Sequence, residues 1–235
     1  MVEITSYASS SRGNCYRITD GITPLLLEIG IPWKVVREKM NFQTSSLAGA
    51  LITHSHNDHA GHVKDAIKAG IDCYMSQQTA EAKGLEGHRV KVIEPLKQFD
   101  VGSWAVLPFP TQHDCAGSLG FLLATQGGEK LLFITDSYYC KYLFKGLTHI
   151  MIECNHSTEI LRNNVESDLL AREQKNRLMQ SHFSLENVKK FLQANDLSKV
   201  QKIHLLHLSD SNSDAEYFKR EIEKLTGKLV IVAKP

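Results

Sequence analysis

The run Thr53-His54-Ser55-His56-Asn57-Asp58-His59 places three imidazoles and a carboxylate within six consecutive positions. Imidazole and carboxylate at that density suit a hard or borderline divalent ion such as zinc, manganese or iron. His54 and His56 are two apart, so an extended strand end points both the same way. Asp58 and His59 follow where the chain turns into a helix, placed to serve a neighbouring ion. Two ions a few ångströms apart are what phosphoryl or acyl hydrolysis uses, to hold a bridging hydroxide and absorb oxyanion charge. A lone histidine is more often exposed or simply hydrogen-bonded. Four donors packed between an apolar strand and a helix need a stronger reason, because unpaired polar groups there are costly.

Further donors sit at the ends of other apolar runs. His113 follows WAVLPFP and precedes Asp114, Asp136 ends LLFITD, and His207 follows KIHLL. Each alone is weak, since a carboxylate closing a strand is often a helix cap and a histidine there is often half-buried. Together they complete a set: His54, His56 and His113 for one ion, Asp58, His59 and His207 for the other, and Asp136 between them. His182 lies just before a helix start at Ser184 and Glu186. An imidazole with a pKa near 6.5 can donate a proton there without large tuning.

These residues need strands that end at the donors and helices that cover the sheets. Strands are expected at 2–8, 14–19 and 24–28, then GALIT at 49–53, followed by 71–75, 90–93, 104–109, 119–125 and 131–135. LTHIMIEC, KIHLLHL and KLVIVAK read as strands of the second half. Helices are expected from about Pro32 to Met40, over AGHVKDAIKAG with Gly70 closing it, near 159–178, at 184–195, and over SDAEYFKREIEKL. Strands alternating with helices in both halves imply an α/β protein with sheets covered by helices. No linker or repeat divides the 235 residues, so a single domain, 1–235, is expected.

Composition excludes several classes. The 27 basic and 26 acidic residues leave a net charge of +1, against the strong field of a protein held on nucleic acid mainly by charge. The opening MVEITSYASSSRGNCY lacks a basic region followed by an apolar run, so no signal peptide is expected. The apolar runs are strand-length, and no membrane partner is expected. Five cysteines without a CxxC pair read as a reduced, cytoplasmic protein.

The motif THSHNDHAGH, with His113, Asp136 and His207 following in order, resembles the metallo-β-lactamase superfamily over nearly the whole chain. The resemblance implies an αββα four-layer sandwich with a two-metal site at one edge, and it names a superfamily rather than a substrate. ASSSRGNCYRI, IECNHS, SHFSLENVKKFL and HLLHLSDSN are similar to segments of the bacterial YycJ/WalJ-like metallo-hydrolases, described as DNA nucleases. Transfer RNA 3′-processing enzymes share a similar histidine-serine helix start, so His182 resembles the extra active-site histidine of the nuclease branches. Glu28, Cys154 and Ser181 stand where those families more often carry Asp, Ala and Gly. Neither the long insert of the β-CASP nucleases nor the Pro-rich arm of the transfer RNA enzymes is recognisable.

The expected function is hydrolysis of a phosphodiester in DNA or RNA by a metal-bridging hydroxide near Asp58 and Asp136. Two divalent ions, zinc or manganese with iron as a third choice, would act as cofactors, and Asp58 and His182 would be catalytic. Glu153 and Asn155 are candidates for orienting a ligand or holding a loop, and His156 for facing substrate. The alternative is a hydrolase of a small cyclic phosphodiester, lactone or thioester, which tolerates the near-zero net charge better. A redox or noncatalytic metal protein is disfavoured, because all seven candidate ligands are present.

Overall fold

The computed structural model describes residues 1–234, and the chain divides into two compact units. Met1–Pro110, Cys115–Glu129 and Lys234 form the first; Thr111–Asp114 and Lys130–Ala233 form the second.

The first unit is built on a six-stranded sheet in the order β1 (Glu3–Ser10), β2 (Gly13–Thr19), β3 (Pro24–Leu27), β4 (Gly49–Leu51), β5 (Cys73–Met75) and β6 (Val90–Val92). The first three strands pair antiparallel and the rest parallel. Parallel strands are covered on both faces, which is why β3 and β4 read as unbroken apolar runs. Leu25, Leu26, Leu27, Ala50 and Leu51 are all fully buried. Each such leucine contributes roughly 1.5–3 kcal/mol by leaving water. Against Leu26 and Ala50 pack α1 (Trp33–Lys39), through Trp33 and Val36, and α3 (Val63–Lys68), through Val63 and Ala66. Between α1 and α3 runs the short α2 (Asn57–Ala60). The helix expected over AGHVKDAIKAG is α3, which starts at Val63; α2 precedes it and shares only Ala60 with that stretch. Elements not anticipated include α4 (Gln77–Ala82) and β7 (Phe99–Val101). Strand β7 pairs antiparallel with β8 (Trp104–Pro110), and β8 with β9 (Leu119–Thr125).

The second unit is built on four parallel strands, β10 (Lys130–Ile134), β11 (His149–Glu153), β12 (Lys202–Leu206) and β13 (Leu229–Val232). The helical stretch expected near 159–178 is two helices, α5 (Thr158–Glu166) and α6 (Arg172–Ser181). They are separated by a turn in which Asp168 takes a positive φ of 57°. Further on come α7 (Leu185–Ala194) and α8 (Ala215–Thr226). Helix α7 buries Leu185, Val188, Phe191 and Leu192, one stripe at helical spacing. Helix α8 starts on Asp214, whose carboxylate accepts the Tyr217 amide at 2.9 Å, and stops at Gly227, whose φ of 65° suits a residue without Cβ.

All five cysteines are free thiols. Among the described residues no helix is long and apolar enough to cross a membrane.

Candidate metal centre

In the first unit the donors leave the end of β4. Residues Ile52, Thr53 and His54 continue the buried run, and His56 precedes the first turn of α2. The Nε2 atom of His54 lies 3.1 Å from Nδ1 of His56. The His54 and His59 rings stand 4.2 Å apart between centroids, and His59 Nε2 is 3.2 Å from Asp58 Oδ2. Donors sharing one tetrahedral zinc, with bonds near 2.0–2.1 Å, stand about 3.3 Å apart. These spacings therefore fit a divalent ion without rearranging the backbone.

Glu28 is what lies beneath this cluster. Its carboxylate is fully buried and accepts the Thr53 amide at 3.2 Å, and it stands 3.9 Å from Nδ1 of His59. Burial pushes its pKa up, and the pull of His59 and the Thr53 hydrogen bonds only partly offsets this. A carboxylate behind an imidazole fixes the ring's orientation and raises its basicity as a ligand. Thr53 does a similar job for His54, its hydroxyl lying 2.9 Å from Nδ1. Asn14, from the segment ASSSRGNCYRI, donates from Nδ2 to the Asp58 carbonyl at 3.2 Å and lies 3.2 Å from His59 Nε2. Gly30 makes the approach possible, because a Cβ there would collide with the Asp58 carbonyl. Neither Glu28 nor Asn14 was assigned a part in the site from the sequence. The available signal was a carboxylate closing an otherwise unbroken apolar run.

In the second unit the donors come from separate strand ends. Asp136 follows β10 with φ 33°, Glu153 ends β11, His182 follows α6, and His207 follows β12 with φ 51°. Ligand atoms of these four lie within 4.8 Å of one another. His207 Nδ1 is 2.8 Å from Asp136 Oδ1 and 3.3 Å from Glu153 Oε1. His113 brings Nε2 to 3.7 Å from Asp136 Oδ2, with its Nδ1 2.8 Å from the Ser181 carbonyl. The Asn155 amide holds the His207 backbone by donating to its carbonyl at 2.9 Å.

Glu153 is fully committed. One oxygen accepts the Ser137 and Phe183 amides, both at 3.1 Å, and the other faces His182 Nδ1 at 2.6 Å. Burial alone would raise its pKa, but the His182 charge and the hydrogen bonds from His182 and His207 outweigh it and hold it below the ordinary carboxylate range. Burial would likewise depress the two imidazoles. Glu153 and Asp136 reverse that for His182, and Asp136 and Glu153 carry His207 to about 10. Two buried carboxylates this close demand compensating positive charge, which protons on the imidazoles or divalent ions can supply. The donor chemistry of both units thus fits divalent metal ions.

His156 is buried at the parallel bridge with Ser184, and burial lowers its pKa to about 4. It stays neutral at physiological pH. His62 lies one turn beyond the motif, with Nδ1 3.5 Å from Asp65 Oδ2.

No family model matches the chain, and no curated protein matches it. Solved structures do. The metallo-β-lactamase fold protein YhfI from Bacillus subtilis matches at TM-score 0.74 and 14% identity, covering 99% of this chain and 96% of its own. The short form of human tRNase Z matches at TM-score 0.63 and 14% identity, covering 100% and 96%. CmlA, a diiron β-hydroxylase from Streptomyces venezuelae, matches at TM-score 0.64 and 13% identity, covering 97% of this chain and 52% of its own. The chain therefore has the metallo-β-lactamase fold, mixed α/β with two sheets flanked by helices, as the motif implied. The clusters of histidine and carboxylate side chains have the donor types that hold divalent metal ions.

Proposed function

We propose that this protein is a two-metal phosphodiesterase of the nuclease-like, YycJ/WalJ-like branch, acting as one domain on DNA or RNA. In this reading His54, His56 and His113 hold one ion, Asp58, His59 and His207 the other, and Asp136 serves both. The assignment rests on residue type and chain order within a fold known for such sites. Bound divalent ions, zinc or manganese, would activate the attacking water and neutralise charge on the phosphate oxygens.

The observation that carries the nuclease reading is the His182–Glu153 pair beside Asp136. Glu153 occupies Nδ1 of His182 at 2.6 Å, and Asp136 Oδ2 stands 3.7 Å from that same atom. With Nδ1 committed, the transferable proton sits on Nε2. The two carboxylates raise the imidazole's pKa, which favours its protonated form. A proton donor fixed next to a metal ligand suits expulsion of a poor leaving group, such as the sugar oxygen of a polynucleotide. A lactone or thioester needs less help of that kind. The near-zero net charge favours the second reading, a small cyclic phosphodiester, lactone or thioester.

The deciding experiment loads the protein with zinc or with manganese and confirms two ions per chain. It then offers labelled single- and double-stranded DNA and RNA, with Asp58→Ala as control. Cleavage that disappears in Asp58→Ala supports the nuclease. A two-metal preparation that cleaves no polymer but hydrolyses a small ester would transfer the function to the second reading.

A further inference from the structure

Two cavities of the second unit share a wall. The first, about 320 Å³, lies beside His182 and is lined also by His156, Met179, Asn187 and Lys190, with one carboxylate, Glu186, whose oxygens accept from Thr158. The second, again about 320 Å³, is bounded by Tyr139, Lys141, Leu143, Phe183, Phe191 and the same Asn187 and Lys190. Helix α7 supplies the continuity, since Asn187, Lys190 and Ala194 stand three and four residues apart and share one face. Asn187 also donates from Nδ2 to the Tyr138 carbonyl at 3.1 Å, tying the segment that follows Asp136 to this helix.

That segment, residues 138–145, carries three tyrosines and two lysines in eight positions. Tyr139 is 55% exposed and Leu143 68% exposed, and Lys141 and Lys190 line the same cavity, with Lys141 Nζ 5.3 Å from the centroid of the Tyr142 ring. Among the described residues no carboxylate lines the second cavity. A purely apolar ligand would leave the lysines unused, and a simple anion would leave the rings unused. A nucleobase with its flanking phosphates uses both, because every base offers a flat face for stacking and every linkage a negative charge. A duplex keeps its bases stacked on one another, so the fit is to a single strand.

We infer that the second cavity is a subsite for single-stranded nucleic acid, with Tyr139 stacking on a base and Lys141 and Lys190 taking adjacent phosphates. The strand continues along the α7 face into the cavity beside His182. This rests on the nuclease reading and adds to it the form of substrate and the surface that selects it.

The test is fluorescence anisotropy with the metal-loaded protein and phosphorothioate 12-mers, oligo-dT and oligo-U, against a 12-base-pair duplex. Both single strands should bind more tightly than the duplex. Tyr139→Ala should weaken single-strand binding about tenfold, and Tyr139→Phe should restore it, since stacking needs the ring and not the hydroxyl. Lys141→Ala should flatten the dependence of log affinity on log salt by roughly 0.7, the loss of one phosphate contact. Circular dichroism and metal content check that each variant is folded and loaded.

Unchanged binding in Tyr139→Ala, a duplex bound as tightly as a single strand, or no binding by the wild-type protein would each overturn the inference. So would a dimer that Tyr139→Ala abolishes, which would give the surface to a second copy of the chain. The nuclease reading fails separately. Oligonucleotides that bind with the expected Tyr139 dependence and are never cleaved would leave the subsite standing without the chemistry. Cleavage that persists with Tyr139 irrelevant to binding would leave the chemistry without the subsite.

Discussion

In the first unit the donor side chains hang on one strand end and one turn of helix, His54 to His59, over a buried carboxylate. In the second they arrive from four places in the chain, and each is held by a partner from another element. Glu153 of β11 holds His182 after α6, the Ser181 carbonyl holds His113, and Asn155 holds the backbone of His207. The contiguous cluster takes its donors from one stretch of chain and only its supports, Glu28 and Asn14, from elsewhere. The gathered cluster exists only when parallel strands β10, β11 and β12 are in register, because that register brings Asp136, Glu153 and His207 to one edge. In the proposed reading the first cluster consists of ligands and their supports, whereas the second also contains a proton donor.

The largest expected effect tests whether the gathered cluster is a metal site at all. Asp136→Ala should lower metal content below one ion per chain and cut hydrolysis about a thousandfold or more, the loss of about 4 kcal/mol of charge stabilisation. His56→Ala should lose one ion and keep the other. Plasma emission spectrometry on dialysed protein reads both variants. Asp136→Ala that retains two ions would remove Asp136 from the ligand set.

Next is the division of labour inside the second cluster. His182→Ala should keep its metals and lose about 10²–10⁴ in rate on polynucleotides. On a p-nitrophenyl phosphodiester, whose leaving group needs no proton, the loss should be far smaller. An equal loss on both substrates would make His182 a ligand or a structural residue rather than a donor.

The two clusters also mark how far the sequence could be read. HxHxDH was legible because its donors, its strand and its helix are neighbours in the chain, so local periodicity carries the geometry. His113, Asp136 and His207 could be picked only as polar residues closing apolar runs. The partnership of Glu153 with His182 depends on strand order, which periodicity does not encode. Glu28 was noticed only as a departure from a family pattern, since nothing local says that a carboxylate ending LLLE faces His59. Helix α4 and strand β7 are six and three residues long, too short for periodicity to separate from loop.

A pH effect distinguishes the units through a residue outside both clusters. Burial, with the nearby charges of His149 and Lys202, lowers the pKa of His204 to about 4. An unfolded chain protonates this ring near 6.5. Folded-state stability from its neutral form is therefore complete above pH 6.5 and is lost as pH falls toward 4, by about 3 kcal/mol in total. Urea unfolding at pH 7.5 and 4.5 should show the second unit weakening, and His204→Leu should remove about half of that dependence, because His156 in the same unit is also lowered to about 4. An identical pH profile in His204→Leu would assign the acid sensitivity to other groups.

The support under the contiguous cluster is testable by metal affinity. Glu28→Gln keeps the shape and a hydrogen-bond acceptor but removes the charge behind His59. It should weaken metal binding about 10- to 100-fold in competition with a chelator, as loss of a ligand's carboxylate partner does elsewhere. Unchanged affinity would mean that Glu28 serves the Thr53 backbone alone.

The smallest effect concerns how each unit starts its helices. In the first unit α1, α2 and α3 begin without a side-chain cap and only Ser76 caps α4, whereas Ser157, Ser184 and Asp214 cap α5, α7 and α8 in the second. The first unit leans on packing of very short helices, and at α2 the capping position is His56, a side chain that the proposed site gives to a metal ion. The second can afford ordinary caps because its donors lie at strand and helix ends other than those three. Asp214→Ala should therefore cost about 1 kcal/mol in urea unfolding, with metal content and rate unchanged. A loss several times larger would show that Asp214 supports the loop carrying His207, and the line drawn between capping and chemistry in this unit would have to move.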